Sequence, residues 1–358
     1  MSVPLGPKPG SAAGRRGRVG PPRTAFDITG PRDGTMDNPA ALEAQAEQYA
    51  RDGDSQAAVK CFYDLVGHYA RARDFVKAEA MRERLMAVDD MALTEIIKSA
   101  EIIEAEKSDA VDPDHLQVFT AFYETLTEEE TNAFYFAARA VTLEAGESLF
   151  RQGDLNTRLY FILGGQLQLY FSRDGKDTLI TLLEQGDVAG QDTFFATTTC
   201  TTSLAVQSRA ELQVLERDQV TDWKEVLPAL EAKLAAFCRS RDVGQLVLAK
   251  GLERRQSRRI RAEGAISAQI MDASNQLLGK PFRGDLADIS NAGLSFAIKA
   301  TDKSARLLLG RRLKVAANLE IGGKSQRLAR TGLTVAVTPL LFGDFTLHLK
   351  FDQPLKPT

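Results

Sequence analysis

Short apolar segments alternate with glycine-containing turns through the middle of this chain, and their spacing strongly limits the folds available to it. Five segments have the length and composition of β-strands: 141–143, 148–150, 159–163, 166–171 and 179–183. The turns between them contain Gly146, Gly153, the pair Gly164–Gly165, and Gly175. Short strands separated by turns at fairly even spacing predict a β-barrel or a jelly roll.

Residues 115–240 resemble a cyclic-nucleotide-binding domain of the catabolite-activator and kinase regulatory-subunit type. The resemblance rests on four segments: Glu-Ala-Gly-Glu at 144–147, Phe-Arg-Gln-Gly-Asp at 150–154, Leu-Tyr-Phe-Ile-Leu-Gly-Gly at 159–165, and Gly-Asp-Val-Ala-Gly at 186–190. It implies a β jelly roll with flanking helices, which we assign to residues 111–240.

The same resemblance implies a phosphate cassette, in which a Gly-Glu pair opens a short helix and an arginine precedes the next strand. Helix N–H groups would cradle the phosphate, and the arginine would supply a charge-assisted contact. Here Gly190 is followed by Gln191, the arginine position falls near Thr201 and Thr202, and Arg209 is assigned to a later turn. Hydroxyl groups donate only neutral hydrogen bonds, worth about 1 kcal/mol each.

We therefore predict a degenerate cassette made of Gly190, Gln191, Thr201 and Thr202. A structural, dimerising or coupling role for this barrel is favoured over the usual binding of cyclic AMP or cyclic GMP. Binding of a cyclic mononucleotide through the threonine-rich segment stays open as the alternative.

A dense group of arginines precedes the last third of the chain. Residues 254–261 contain Arg254, Arg255, Arg258, Arg259 and Arg261. Such a group of like charges must be solvated or face an anion. Alone, it is best interpreted as a solvated linker. Six alternating apolar segments follow and predict a small six-stranded barrel: 266–270, 282–290, 294–298, 313–319, 328–337 and 345–351.

Two motifs in residues 254–358 together resemble the PilZ domain, a bacterial receptor module for cyclic di-GMP. The Arg-x-x-x-Arg motif is Arg255 to Arg259, and the Asp-x-Ser-x-x-Gly motif is Asp288, Ser290 and Gly293. Arg254 with Arg258 gives an overlapping register. We prefer Arg255 and Arg259, because Ile260 then begins the first strand.

The resemblance implies that these residues bind cyclic di-GMP. A guanidinium group can contact a phosphate bidentately, meet the O6/N7 edge of guanine, or stack on its ring. Asp288 can accept from guanine N–H groups, and Ser290 can donate to a base or a phosphate. Gly293 allows a positive φ or a close approach of the ligand. The predicted site is Arg254, Arg255, Arg259, Asp288, Ser290 and Gly293, and the alternative for Asp288 and Gly293 is an ordinary turn.

The N-terminal part divides into a tail and a helical segment. Residues 1–36 are rich in Gly, Pro and Arg and predict a disordered, basic tail. Residues 37–110 show helical periodicity for four helices. The segments 49–58 and 69–78 resemble a tetratricopeptide-type hairpin over at most two repeats. This resemblance implies a docking surface for an unidentified protein partner, and a plain helical bundle is the alternative.

A helical stretch is predicted from Trp223 to about Leu252, and its last part, 241–253, is assigned as a linker helix. The resemblance implies a homodimer contact along this stretch. A basic segment and β pattern follow instead of a helix-turn-helix, which argues against DNA binding. Because the arginine segment lies at this boundary, ligand binding there could lock the last domain against the preceding one.

Composition excludes several other classes of protein. The net charge is −3, and the three cysteines and three histidines are scattered, which favours a reducing compartment and no metal site. No apolar run reaches the length of a membrane span and no signal peptide is evident, so a cytoplasmic location is expected. We find no nucleophile–base pair or cofactor motif and therefore expect no enzyme activity.

The sequence thus predicts a multidomain α+β protein: helical hairpins, a jelly roll and a six-stranded PilZ barrel. The predicted function is a non-enzymatic cyclic di-GMP receptor in bacterial second-messenger signalling. A dual sensor that also binds cyclic AMP or cyclic GMP, and a ligand-free scaffold, are the alternatives.

Overall fold

The computed structural model describes residues 38–173, 175–239, 246–247, 249–250, 259–321, 324–340 and 343–355. Helices come first, a six-stranded antiparallel sheet follows, and a closed β-barrel ends the chain. The predicted tail at 1–36, most of the predicted linker helix at 241–253, Arg254 and Arg255 lie outside the described residues.

Four helices form the N-terminal unit, as the periodicity predicted: α1 (Pro39–Asp52), α2 (Ser55–Arg71), α3 (Phe75–Val88) and α4 (Leu93–Ala110). Asn38, Asp54 and Asp74 cap the first three, each side chain accepting a hydrogen bond from the N–H three residues on. Gly53 ends α1 with a φ of 82°. The helices share one apolar core. The tetratricopeptide likeness stays a prediction.

Three short helices lead into the middle domain: α5 (Pro113–Val118), α6 (Thr120–Tyr123) and α7 (Glu128–Ala137). Their aromatic side chains pack with those of the following sheet and helices in one core cluster, which includes Phe119, Phe134, Phe161 and Trp223. His115 is buried beside this cluster, with its Nε2 atom 2.6 Å from the Tyr123 hydroxyl.

The middle domain is built around an antiparallel sheet in the order β1-β7-β3-β4, with β2 paired to β7 and β5 to β3. Its elements are β1 (Arg139–Leu143), β2 (Ser148–Phe150), β3 (Arg158–Arg173), β4 (Lys176–Leu183), β5 (Val188–Ala189), α8 (Gln191–Phe194), β6 (Thr197–Thr198), β7 (Ser203–Glu216), α9 (Arg217–Val226) and α10 (Pro228–Arg239). The five predicted strand segments all lie within these strands.

The predicted turn at Gly164–Gly165 is wrong, because β3 runs through both residues as one strand. Gly165 has a φ of +83°, and a Cβ atom there would lie 2.3 Å from the carbonyl oxygen of Arg209. The two glycines therefore allow β3 to cross close to β7, with shifts in the pairing register at this point. Arg209 lies within β7, which the sequence patterns did not predict, and not in a later turn.

The C-terminal domain is a closed six-stranded barrel, as predicted. Its elements are β8 (Ile260–Arg261), β9 (Ala265–Met271), β10 (Leu277–Ser290), β11 (Gly293–Lys299), α11 (Asp302–Arg306), β12 (Arg312–Ile321), β13 (Lys324–Pro339) and β14 (Asp344–Phe351). Strands β11, β14, β13, β12, β9 and β10 follow one another in the sheet, and the β10–β11 pairing closes the ring. Two short strands lie outside the ring: β8 on β10, and β6 of the middle domain on β13.

Candidate functional site

The two motifs of the C-terminal domain meet through the short strand β8. Antiparallel pairing of β8 with β10 sets Arg261 opposite Asp288 and Ile260 opposite Ile289. Arg259, directly before β8, thereby reaches Asp288, with 3.4 Å between its Nη1 and the Oδ2 of the carboxylate. Both side chains remain partly exposed, at 40% and 27%. The pair is therefore open to solvent on at least one side.

Ser290 and Gly293 form the turn at the end of the same strand. The Ser290 hydroxyl donates to the carbonyl oxygen of Gly293 at 3.2 Å, and the two residues are paired in register. Gly293 does not have a positive φ, contrary to one of the two predicted reasons for a glycine. A Cβ atom there would lie 2.2 Å from the carbonyl oxygen of Leu349. The glycine is required by the close approach of β14, which agrees with the turn alternative for this residue.

His348 is a candidate site residue that the motifs did not identify. In β14 the apolar residues Phe345, Leu347 and Leu349 are buried, and His348 alternates with them on the other side of the strand. It pairs in register with Ser295, which in turn pairs with Asp288. Burial, followed by the charge of Arg259, lowers the pKa of His348, and Asp288 opposes this shift. The alternation of apolar residues in the sequence could have predicted that His348 is on the outer face of the barrel. It could not have predicted that His348 lies in the same row across the strands as Asp288.

The predicted cassette begins at Gly190, which has a left-handed backbone conformation. Gly190 has a φ of +90° and begins α8, and its carbonyl accepts from the Phe194 N–H at 2.9 Å. A Cβ atom at Gly190 would lie 2.3 Å from the carbonyl oxygen of Arg158. The side-chain amide of Asn156 donates to that same carbonyl and to Thr193 Oγ1, at 2.8 and 3.0 Å. This close packing fixes the start of the helix.

The side chains of the cassette are buried or bonded to an acid. Gln191 and Thr202 are 9% and 1% exposed, and the Thr201 hydroxyl donates to Asp192 Oδ2 at 3.1 Å. Burial raises the pKa of the neighbouring Cys200 thiol to about 12, and the carboxylates of Asp192 and Asp154 add to that effect. The carboxylates of Asp192 and Asp154 therefore lie near the segment that holds Thr201.

Arg217 is a second residue that the sequence patterns missed. Its guanidinium group donates to the carbonyl oxygens of Thr193 and, at 3.4 Å, of Ala196, and it lies 6.0 Å from the ring centre of Phe194. It thus holds the C-terminal end of α8 rather than its N-terminus. A cleft of about 90 Å³ beside it is lined by residues of the middle domain and by Arg306 of α11.

The described ranges contain neither a metal-binding cluster nor a helix that could span a membrane. Within these ranges, no group of three or more His, Cys, Asp or Glu is arranged to hold a metal ion. No helix in the same ranges combines the length and apolar character needed to cross a bilayer.

Comparison with known proteins identifies the middle domain. Residues 140–224 match the family model of the cyclic nucleotide-binding domain. The chain contains a cyclic nucleotide-binding domain. A search of curated proteins found no match to the chain.

Several solved structures resemble part of the chain. A cyclic nucleotide-binding-like protein from Brucella abortus is 25% identical over 32% of this chain and 99% of its own, with a TM-score of 0.29. The catabolite activator protein of Thermus thermophilus is 23% identical over 36% of this chain and 61% of its own, with a TM-score of 0.31. The guanosine-bound regulatory subunit of a cAMP-independent protein kinase A from Trypanosoma cruzi is 20% identical over 41% of this chain and 52% of its own, with a TM-score of 0.33.

Proposed function

We propose that this protein is a non-enzymatic receptor for cyclic di-GMP, which binds on the outer face of the C-terminal barrel. The observation that supports the proposal is the contact between Arg259 and Asp288, 3.4 Å apart, because it joins the end of the arginine motif to the start of the Asp-x-Ser-x-x-Gly motif. The cyclic nucleotide-binding domain at 140–224 supports a role in cyclic nucleotide signalling more generally.

The electrostatics of the pair suit an exchange of partners. An ion pair that is partly exposed to solvent contributes little to stability, about 0–1 kcal/mol. A ligand phosphate can therefore replace Asp288 as the partner of Arg259 at small cost, because the singly charged phosphodiester has two free oxygens that can bind the guanidinium bidentately. Asp288 is then free to accept from guanine N–H groups. Arg254 and Arg255 precede this position in sequence and would add positive charge.

Calorimetric titration of the intact chain with cyclic di-GMP tests the proposal. Loss of a hydrogen bond to a charged group costs about 1.5–3 kcal/mol, so Arg255→Ala, Arg259→Ala and Asp288→Ala should each weaken binding roughly 10- to 100-fold. Arg306→Ala is the control, since its side chain is 51% exposed and pairs at 2.8 Å with Asp302 in α11, outside the barrel strands. Unchanged affinity in both Arg255→Ala and Arg259→Ala contradicts the proposal, as does an equal loss in Arg306→Ala.

A second candidate function is binding of cyclic AMP or cyclic GMP by the middle domain. It is favoured by the family match and by the left-handed Gly190 that opens α8. The carboxylates near Cys200 argue for weak binding at best. Titration with both nucleotides decides it: micromolar binding that Thr202→Val abolishes supports a dual sensor, and no binding leaves cyclic di-GMP as the proposed ligand.

A further inference from the structure

The end of strand β13 has an edge that no other barrel strand covers. A strand of the middle domain pairs with that edge. Pairing of β12 with β13 ends at Arg312 opposite Leu333, and the backbone of Thr334 is still hydrogen-bonded to Gly310 and Arg311. Residues 336–339 are paired to β14 and have no partner on β12. On the other side lies β6, with Thr197 opposite Val337 and Thr198 opposite Ala336. An unpaired strand edge is a template for another strand, and here the cyclic nucleotide-binding domain supplies it.

A bulge in β13 adds to this contact. The register of β13 against β14 shifts between Thr334 and Ala336, so Val335 has no direct partner on β14. Its carbonyl oxygen instead accepts from the Thr199 N–H at 2.9 Å and from the Thr198 hydroxyl at 3.2 Å. The edge of the barrel and the segment 197–199 are therefore joined by backbone and side-chain hydrogen bonds.

The docked strand lies between Gln191 and Thr201, two residues of the predicted cassette. It lies between α8 and β7, and the residues after it are tied to their own domain: Cys200 N–H donates to the Asp154 carbonyl, and its carbonyl accepts from Gly153 N–H, both at 2.8 Å. The segment thus has two rigid attachments, one in each domain. A displacement of the cassette must either break the pairing with β13 or move β13 with it.

The pairing reaches the candidate ligand site through adjacent strands. Thr198 is opposite Ala336, Ala336 opposite His348, His348 opposite Ser295, and Ser295 opposite Asp288. Four strand spacings of about 4.8 Å make this row roughly 19 Å long. The row ends at the carboxylate that contacts Arg259.

We infer that β6 couples the two β domains: its docking on the free edge orders β13 and β14, and through them the face that carries Arg259 and Asp288. Only the effect on ligand affinity rests on the proposed function. Because coupling between sites is reciprocal, a change in either domain is transmitted to the other.

The test compares an undocked, a native and a locked chain. Thr199→Pro removes the N–H that Val335 accepts. For the lock, Thr198→Cys with Ala336→Cys places thiols on registered antiparallel partners, whose Cα atoms are about 4.5–5.5 Å apart and within disulfide range. A Cys61→Ser background removes the one native cysteine that is partly exposed. The reduced double variant is the matched control for the oxidised one, and Thr198→Val removes the hydroxyl contact alone.

Hydrogen exchange of the ligand-free chain decides the inference. The disulfide should form, and peptides covering 334–351 should exchange at least five-fold faster in Thr199→Pro than in the oxidised double variant, with Thr198→Val between them. Failure of the disulfide to form, or equal exchange in the undocked and locked chains, overturns the coupling. If Thr199→Pro does not fold, the same comparison of exchange rates is made between the oxidised double variant, its reduced form and Thr198→Val.

Titration with cyclic di-GMP tests whether the docking of β6 also affects ligand affinity. Affinity should be at least five-fold higher in the locked chain than in Thr199→Pro, because the site is then pre-organised. If the locked chain and Thr199→Pro differ in exchange but bind cyclic di-GMP with equal affinity, then the docking of β6 does not affect the ligand site. If no form binds cyclic di-GMP, the proposed function is wrong, and the exchange measurement still decides whether β6 orders the barrel.

Discussion

Acidification should destabilise the middle domain through His115. Burial lowers the pKa of this histidine from its ordinary value of 6.5 to about 4, against the opposing charge of Asp112. The folded state therefore binds the proton only at lower pH than the unfolded state does. The contribution of the neutral His115 to the free energy of unfolding is present above pH 6.5, and it is lost as the pH falls below that value. Integration between pH 7.5 and 4.5 gives a loss of about 2.5 kcal/mol in the free energy of unfolding.

The single tryptophan provides the assay. Trp223 is buried in the core cluster that contains Phe119, whose ring centre is 5.4 Å from that of His115. Urea unfolding followed by its fluorescence, repeated from pH 7.5 to 4.5, gives the free energy of unfolding at each pH. His115→Gln cannot titrate, so the difference in stability between wild type and variant should change by about 2.5 kcal/mol across this range.

The pH dependence of that difference separates titration from packing. His115→Gln loses the ring contacts and should be less stable than wild type at pH 7.5, by an amount that packing alone determines. If the two stability profiles remain parallel down to pH 4.5, the buried neutral histidine is not the source of acid sensitivity. His68→Gln serves as the control, because His68 lies in α2 of the N-terminal unit and outside the cluster around Trp223.

Three further substitutions test the packing of the β domains and helices. Gly165→Ala should lower the free energy of unfolding by about 2–4 kcal/mol, because the added Cβ atom meets β7. Gly175→Ala is the control: Gly175 also has a positive φ, but a Cβ atom there meets nothing within 4 Å, so the cost should be only about 1 kcal/mol. Similar losses in both variants would contradict the close strand crossing. Gly293→Ala should lower the melting temperature of the barrel by several degrees, and an unchanged value would mean that β14 can move away. Lys233→Met should cost about 3 kcal/mol at pH 7, because it leaves the buried Glu130 carboxylate without its 2.6 Å partner. The contact with Lys233 helps to lower the pKa of Glu130, so a cost that does not shrink under acidic conditions that protonate this carboxylate would argue against a charge effect.

Local rules explain which elements could be predicted. The caps Asn38, Asp54 and Asp74 mark helix starts by their own side-chain chemistry, so the first three helices were predictable. Alternation of apolar residues similarly marked all six barrel strands, because each strand buries one side. The approach of Arg259 to Asp288 followed from motif resemblance and not from periodicity.

Features set by distant contacts could not be predicted in this way. The pair Gly164–Gly165 has the composition of a turn, and only the crossing of β7 makes it part of a strand. Similarly, His348 faces Ser295 because of a pairing between strands that are far apart in sequence. Strand β6 has two residues and no periodicity at all, so its docking on β13 is visible only in three dimensions.

The docking of β6 satisfies polar groups of the segment where the resemblance implies a phosphate cassette. A cassette that holds a phosphate directs its N–H and hydroxyl groups at the ligand, and such groups are costly to bury without a partner. In this chain the Thr199 N–H and the Thr198 hydroxyl donate to the Val335 carbonyl, while the Thr201 hydroxyl donates to Asp192. These donors are therefore satisfied by protein groups, and the segment 197–199 serves as a strand on the edge of the barrel.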